Sequence, residues 1–121
     1  MRKLDVGMEN QIEILVMDDP GAGGACHKYY ICRADGKDNE AAGEFGFVKF
    51  QNGPIQENGV NGCQQEDLLK IVIDRLRSFQ AGDFSCRENA IALTKCEEAL
   101  HWLESRTRDR IKRGVEGKTE K

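Results

Sequence analysis

The fold of this 121-residue chain is decided by one stretch, QEDLLKIVIDRLRSFQ, at residues 65–80. Its large apolar residues recur mainly at steps of three or four positions, which is the spacing of one face of an α-helix. They are Leu68, Leu69, Val72, Leu76 and Phe79. Ala81-Gly82 follows, and glycine readily adopts the left-handed conformation that commonly closes a helix. The stretch is therefore predicted to be an amphipathic helix.

A second helix is predicted to open at Ser85-Cys86-Arg87-Glu88, where Ser85 and Glu88 have the spacing of a capping box. Its apolar stripe, which would face the first helix, consists of Ala92, Cys96, Ala99, Leu100 and Leu103. The connection between the helices is only a few residues long. We therefore expect them to pack as an antiparallel hairpin over about residues 64–113.

The second helix is predicted to be longer than its partner. If it continues to Arg113, its ~28 residues span roughly 42 Å, against about 22 Å for the first helix. The distal third has no cover within the hairpin, and Ile111 is its one large apolar residue. We expect this overhang to meet a second subunit, so that a homodimer closes around a ligand.

The residues before the helices have the patterns of β-strands. On alternation and on their β-branched and aromatic content, strands are predicted at Gln11–Met17, Cys26–Arg33 and Glu44–Gln51. Asp18–Gly21 has turn chemistry, the glycine-rich residues 21–24 extend it into a flexible loop, and residues 34–43 form a polar surface loop. Short connections between strands favour an antiparallel sheet.

The predicted fold class is α+β, with an N-terminal antiparallel β-sheet followed by a C-terminal two-helix antiparallel hairpin. The chain has the usual length of a single domain, over residues 1–121. Within it we expect a strand-rich half over about residues 1–62, the helical hairpin over about 64–113, and a short polar tail over 114–121.

The sequence also carries signals of the cellular compartment. No run has the 18 or more apolar residues that span a bilayer, and the first residues lack the apolar stretch of a signal peptide. The five cysteines contain no CxxC pair and suit a reducing compartment. The two histidines, His27 and His101, are not at metal-ligand spacing. A cytoplasmic chain without a metal site or a cofactor is therefore predicted.

The net charge of −3 is unevenly distributed. Residues 1–103 contain 11 Lys/Arg against 17 Asp/Glu, which gives −6, whereas residues 104–121 contain 7 against 4, which gives +3. A local positive field on an acidic chain favours a confined anion site over a broad nucleic-acid surface. We therefore expect a small anionic ligand, and neither nucleic acid nor a membrane, as the partner.

One stripe of the second helix could bind such a ligand. Trp102, Arg106, Arg110 and Arg113 lie within about 80° of one another on a helix. Guanidinium groups bind phosphate through paired hydrogen bonds and stack on planar rings, which suits a ligand with a phosphate and a base. The same spacing also fits a solvated charged face with a core tryptophan. By the same reasoning Phe79 fits a core residue and Asn89 a surface polar residue, so both interpretations stay open on spacing alone.

Catalytic motifs are absent from the sequence. It has no Ser/His/Asp order, no nucleophile elbow and no obvious carboxylate pair, and Gly21–Gly24 matches neither GxGxxG nor a P-loop. No catalytic residue is predicted, and the chain is expected not to be an enzyme. Two alternatives stay open: an enzyme that cleaves a nucleotide signal, with Glu98 or Asp109 as general base, and a nucleic-acid-binding accessory protein.

From Phe50 onward, several spaced motifs resemble a known family. They are Phe50-Gln51-x-Gly53-Pro54-Ile55, Gly59-Val60-Asn61-Gly62, Asp74-Arg75-Leu76-x-x-Phe79-Gln80, Cys86-x-Glu88-Asn89 and Arg113-Gly114-Val115-Glu116-Gly117. Together they resemble the phage anti-Thoeris sponge family, also called Thoeris anti-defence protein one, whose helical hairpin is similar to that of the phage anti-CBASS sponge. The resemblance covers about 70 residues.

The resemblance implies a function. Members of the family are not enzymes; they capture the cyclic ADP-ribose isomers made by bacterial TIR-domain proteins, and some hold cyclic di- or trinucleotides at separate sites. They form dimers that can assemble to hexamers, in the cytoplasm of the infected bacterial host. The resemblance implies that Phe79 stacks on the ligand, that Asn89 makes a polar contact, and that Arg106 and Arg110 bind phosphate. Arg113 is added to this set on spacing.

Overall fold

A computed structural model describes residues 1–8, 10–34 and 44–118. The elements in chain order are β1 (Arg2–Lys3), β2 (Ile12–Val16), a 3-10 turn (Ala22–Gly24), β3 (Lys28–Arg33), β4 (Glu44–Lys49), α1 (Ile55–Asn58), α2 (Gln65–Ala81) and α3 (Arg87–Lys112). The predicted α+β class, with strands first and helices after them, is confirmed. The predicted polar loop at residues 34–43 lies, apart from Ala34, outside the described residues.

The four strands form one antiparallel sheet in the order β1-β2-β3-β4. Because side chains alternate between the faces of a strand, the register places Val16 and Tyr29 on one face and Leu15 and Phe47 on the other. Val16 is fully buried and Phe47 is exposed, so the first face is the core side of the sheet. The predicted antiparallel sheet is thus confirmed. Strand β1 was not predicted, because two residues are too few to show alternation.

The carboxylate of Asp18 fixes the connection between β2 and β3. Its oxygens accept the backbone N–H of His27, at 3.0 and 3.1 Å, and that of Lys28, at 3.1 Å. The enclosed glycine-rich loop is closed by the N–H of Gly21, which donates to the carbonyl of Ala25 at 2.8 Å. Desolvation alone would raise the pKa of the Asp18 carboxyl, but the two backbone donors and the charges of His27 and Lys28 outweigh it. The pKa is therefore lowered.

Two side-chain amides organise the loop between β4 and α2. The Nε2 of Gln51 donates to the carbonyls of Gly53, at 3.0 Å, and Gly59, at 2.8 Å, while its Oε1 accepts the N–H of Asn61 at 3.0 Å. Asn61 in turn exchanges two hydrogen bonds of 2.8 Å with the backbone of Asn52. These bonds give a structural role to the amide residues of two of the motifs that carry the family resemblance.

Helices α2 and α3 run antiparallel. Near their connection, Oε1 of Gln80 accepts the N–H of Cys86 at 3.1 Å, and farther along Arg77 pairs with Glu97 at 2.7 Å. Helix α3 has 26 residues, or about 39 Å, and α2 has 17, or about 26 Å. The predicted ends of the two helices, Gln80 and Arg113, lie within one residue of the observed ends.

Within residues 1–8, 10–34 and 44–118, the structure has three α-helices rather than the predicted two-helix hairpin alone. The additional helix, α1, is a single turn that starts after Pro54. It ends at Gly59, whose φ of 71° only glycine adopts readily and whose N–H donates to the carbonyl of Ile55. Hydrophobic periodicity cannot reveal a helix of four residues.

The predicted cap of α3 is wrong by one residue. The N-cap is Cys86, whose Sγ accepts the N–H of Asn89 at 3.4 Å. A capping box needs its hydroxyl at the N-cap and its carboxylate three residues later. Ser85 and Glu88 therefore each lie one position out of register. It is the start of α2 that has a carboxylate cap, where Oδ2 of Asp67 accepts the N–H of Gln64 at 2.8 Å.

Backbone contacts group the chain into two compact units, residues 1–63 and 64–121, which we call the sheet unit and the helical unit. All five predicted ligand residues belong to the helical unit. The expectation of a single domain over residues 1–121 stays a prediction. Within the described ranges, no helix is both long enough and apolar enough to cross a membrane.

Candidate functional site

Arg110, one of the arginines of the predicted stripe, is buried. Only 5% of it is exposed, although it lies near the end of α3. Its Nη2 donates to the backbone carbonyls of Val115, at 2.8 Å, and Lys118, at 2.9 Å. Its Nε lies 3.3 Å from Oε2 of Glu116. The guanidinium thus ties the C-terminal turn to the helix, whereas the sequence had placed it on an open stripe.

Two glycines shape this C-terminal turn. Gly114 has a φ of 72°, and the N–H of Val115 reaches back to the carbonyl of Arg110 at 3.0 Å, which is the hydrogen bond of a Schellman helix end. Gly117, with a φ of 78°, then turns the chain so that the N–H of Lys118 bonds the carbonyl of Val115 at 3.0 Å. The segment Arg113–Gly117 is therefore a structural motif, and it brings backbone carbonyls to Arg110.

The other residues of the stripe remain accessible. Trp102 is 71% exposed and is not a core residue of this chain. Arg106 is also exposed, and it makes no ion pair or side-chain hydrogen bond with any residue in the described ranges. Arg113 is half-exposed, and its Nε donates to Oδ2 of Asp109 at 3.0 Å. An aromatic ring and two guanidinium groups thus remain on the surface of α3.

Phe79 and Asn89 lie on either side of the connection between α2 and α3. The guanidinium carbon of Arg75 lies 4.9 Å from the centroid of the Phe79 ring, which is a cation–π contact. Asn89 is half-buried in the first turn of α3. Arg75 was missed in the sequence, although it precedes Phe79 by four residues, the spacing at which helical side chains meet.

Within one chain, the predicted ligand residues form two separate sets. Phe79 and Asn89 lie at the connection end of the helices, and Arg106, Arg110 and Arg113 lie at the far end of α3. Asn89 and Arg106 are 17 positions apart on α3, which is about 25 Å at 1.5 Å per residue. A small nucleotide cannot contact both sets on the same chain.

A cavity of about 280 Å³ lies between the start of α2 and the C-terminal part of α3. It is lined by Gln64, Glu66, Asp67, Lys70, Glu104, Thr107 and Arg108. Three carboxylates face two cations here, so this cavity does not suit a phosphate. The exposed stripe of α3 is the better candidate for an anionic ligand.

A metal site needs several His, Cys, Asp or Glu side chains that converge on one point. Within residues 1–8, 10–34 and 44–118, no group of three or more His, Cys, Asp or Glu side chains is placed to hold a metal ion. The five cysteines are all unpaired. That the chain needs no metal and no cofactor stays a prediction.

The fold and the site define a small α+β protein whose antiparallel helices carry two separated sets of aromatic, polar and cationic side chains. The sequence model of the family described as Acb2/Tad1, hairpin domain, matches residues 45–108, which is more than half of the chain. The chain therefore belongs to this family, as the motifs predicted. The match ends before Arg110 and Arg113.

A curated relative extends the comparison. The chain is 56% identical, over 80 residues, to a protein named Thoeris anti-defense 1 from Bacillus phage SBSphiJ7. The aligned residues make up 66% of this chain and 56% of that relative. The chain thus spans little more than half the length of the curated relative it matches.

Proposed function

We propose that the chain is a phage immune-evasion protein that binds and sequesters cyclic ADP-ribose-type nucleotide signals without degrading them. It would block Thoeris defence in the cytoplasm of an infected bacterium, with cyclic oligonucleotides, the signals of CBASS, as a further ligand class. The observation that carries the proposal is the 56% identity to Thoeris anti-defense 1. The surface of the helical unit supplies independent physical support.

The side chains on this surface suit a small cyclic nucleotide that carries two phosphates and a base. Arg106 and Arg113 offer guanidinium groups to phosphate, and charge-assisted hydrogen bonds of this kind are about twice as strong as neutral ones. Phe79 offers one face of its ring for base stacking, because the guanidinium of Arg75 lies over the ring at 4.9 Å from its centroid. Asn89 offers an amide that can both donate and accept hydrogen bonds. The ligand set we propose is thus Phe79 and Asn89, with Arg106, Arg110 and Arg113.

The distance between the two sets implies that each pocket is built from two chains. In a twofold-symmetric dimer, every contact between two chains occurs twice. If one residue of the first chain faces another residue of the second, the same two residues also face each other with the chains exchanged. If α3 packs antiparallel to α3 of the partner, Asn89 of one chain can approach Arg106 of the other. The symmetry axis then passes near the midpoint of these two positions, close to Glu98. Two equivalent pockets result, one at each end of the paired helices.

This arrangement also brings two sources of positive electrostatic potential together in each pocket. The first turn of α3, which contains Asn89, has the positive end of the helix dipole and N–H groups that have no partner within the helix. The partner's arginines would lie beside it. Helix N-termini and arginines both stabilise anions, so the combined site favours a phosphate more strongly than either end of α3 does by itself.

The exposed apolar side chains of the helical unit favour its association with another chain. Among its described residues, Ile73 and Val115 are the buried apolar side chains, whereas five large apolar side chains of α2 and α3 are exposed. These are Ile71, Val72, Ile91, Trp102 and Ile111. A pair of helices buries too little apolar surface to be stable without further packing. We therefore propose a homo-oligomer, at least a dimer, with a hexamer as a further assembly.

The two-chain pocket can be tested by complementation. One variant carries Phe79→Ala and Asn89→Ala, and the second carries Arg106→Ala. Neither homodimer retains a complete pocket, but a mixed dimer has one pocket with both sets intact. After unfolding and refolding together in equal amounts, about a quarter of all pockets are restored for a twofold dimer. Calorimetric titration with a cyclic ADP-ribose isomer measures this stoichiometry. No recovery in the mixture would contradict the two-chain pocket.

A second experiment separates capture from catalysis. The protein is incubated with a cyclic ADP-ribose isomer, freed of unbound ligand, heated, and the released compound is analysed. Intact ligand in stoichiometric amount is the result expected of a sponge. Release of an altered product would show that the chain is an enzyme that cleaves the signal.

A further inference from the structure

The contacts of the Arg110 guanidinium include hydrogen bonds and an ion pair. Its Nη2 makes two hydrogen bonds to backbone carbonyls, at 2.8 and 2.9 Å. Its contact with Glu116, 3.3 Å from Nε to Oε2, is an ion pair without the alignment of a hydrogen bond. The carbonyls belong to the folded turn, whereas the carboxylate belongs to a side chain that is 39% exposed and whose buried Oε2 makes no hydrogen bond with a residue of the described ranges.

We propose that Glu116 holds the place of a ligand phosphate at Arg110 in the unliganded chain and leaves it when a phosphate-bearing nucleotide binds. This inference rests on the proposed function, because it assumes that Arg110 belongs to the ligand set. It gives a reason why a residue of that set is buried in the unliganded chain. The side chain of Glu116 covers the Nε edge of the guanidinium, and its departure opens that edge to the ligand.

The geometry favours displacement of the carboxylate over displacement of the arginine. The carbonyls of Val115 and Lys118 keep Nη2 in position after Glu116 leaves, so the guanidinium is already oriented when the phosphate arrives. Orientation that is fixed before binding lowers the entropy cost of binding. If Glu116 stayed, its negative charge would lie within a few ångströms of the phosphate and would repel it.

The neighbouring charges distinguish Glu116 from the other acid at this end of α3. Asp109 pairs with Arg113 through a hydrogen bond of 3.0 Å, and both side chains are largely in water. An exposed pair of this kind is screened and weak. Glu116, in contrast, balances the charge of a buried guanidinium. Its removal is therefore the change expected to alter anion affinity most.

The test compares wild type with Glu116→Gln, which keeps the size of the side chain and removes its charge. Glu13→Gln is the matched control, because it makes the same charge change at an ion pair of 3.8 Å with Lys3 in the sheet unit. Each protein is titrated calorimetrically with two probes, cyclic ADP-ribose and inorganic pyrophosphate, and its thermal melting is recorded. Glu116→Gln is expected to bind both probes about 10-fold more tightly, as removal of a nearby like charge predicts. Glu13→Gln should match wild type.

The two probes separate this inference from the proposed function. Tighter pyrophosphate binding by Glu116→Gln, without capture of cyclic ADP-ribose by any chain, would support the displacement of Glu116 by an anion. The same result would contradict the proposed function. Unchanged or weaker binding of both probes by a folded Glu116→Gln would overturn the proposed displacement. Glu116 would then be a group that positions Arg110. Failure of both probes to bind any of the chains would also overturn the proposed displacement, since no anion would then displace the carboxylate.

Discussion

Arg110 donates a hydrogen bond of 2.8 Å from its Nη2 to the backbone carbonyl of Val115, five residues further along the chain. Through this bond a residue of the proposed ligand set also holds the end of α3 and the turn that follows it. Stability and ligand affinity are therefore coupled at Arg110. At Arg106, which is exposed on the same helix, the two properties can be separated.

The first prediction concerns the stability role of Arg110. Arg110→Ala should lower the free energy of unfolding by about 2–4 kcal/mol, because it removes charged donors from two carbonyls and leaves Glu116 without its buried partner. Arg106→Ala should cost less than ~0.5 kcal/mol, as an ordinary surface change does. Denaturant unfolding at one fixed protein concentration measures both, since oligomer stability depends on concentration. Equal stability of the two variants would contradict a clamping role for Arg110.

The burial of Arg110 could not be predicted from helical spacing. Spacing places a residue on a face of its own helix, and that face is covered here by residues 115–118, which come later in the chain. Their path depends on the positive φ angles of Gly114 and Gly117. A glycine directly after a helix end is the signal that could have indicated a turn folding back on α3.

The larger elements were predictable, because each has enough residues to show a period. Helices α2 and α3 and strands β2, β3 and β4 all correspond to stretches identified in the sequence. Strand β1, with two residues, and helix α1, with four, were not identified. The predicted ligand residues could be chosen by chemistry and resemblance, and their separation into two sets follows already from the length of the predicted second helix, which the bounds of α3 match closely.

The second prediction is that Trp102 belongs to the contact between chains. A tryptophan that is 71% exposed beside the proposed symmetry axis is a candidate for a residue that contributes strongly to an interface. Trp102→Ser should therefore weaken dimerisation at least about 30-fold. The control is Phe84→Ser, which changes an aromatic side chain that is 78% exposed in the connection between α2 and α3. Light scattering over a range of concentrations measures the effect. A wild-type chain that is a 13.6 kDa monomer at micromolar concentration would remove the basis for a two-chain pocket.

A third prediction follows from the lowered pKa of Asp18. The folded state stabilises the charged form of the Asp18 carboxyl more than the unfolded state does. The contribution of Asp18 to stability is therefore fully present above the unfolded pKa, about 3.9. It is lost as the pH falls through the lower folded pKa. Asp18→Asn should therefore be less stable than wild type by a constant amount from about pH 5 to 8, and the difference should shrink below about pH 4. A difference that does not change down to pH 2 would contradict this role of the charge.

A fourth prediction concerns thiols and metals. Since all five cysteines are unpaired, reductant should leave the melting temperature and the ligand affinity unchanged. EDTA should have no effect on either property. A large loss of melting temperature in EDTA would reveal a metal that contributes to folding, because a metal that binds only the folded chain stabilises it.

The last prediction isolates the contact between arginine and phosphate. Arg106→Ala should reduce affinity for a cyclic ADP-ribose isomer by roughly 10- to 150-fold, because it removes a charge-assisted hydrogen bond of about 1.5–3 kcal/mol. Arg108→Ala is the matched control, since it removes an arginine two residues away that lines the acidic cavity instead of the exposed stripe. Calorimetric titration measures affinity and thermal melting shows that both variants are folded. If Arg106→Ala and Arg108→Ala bind as wild type does, Arg106 belongs only to a solvated face and does not contact the ligand. If both lose affinity equally, the ligand responds to the overall charge of the helix and not to a contact at Arg106.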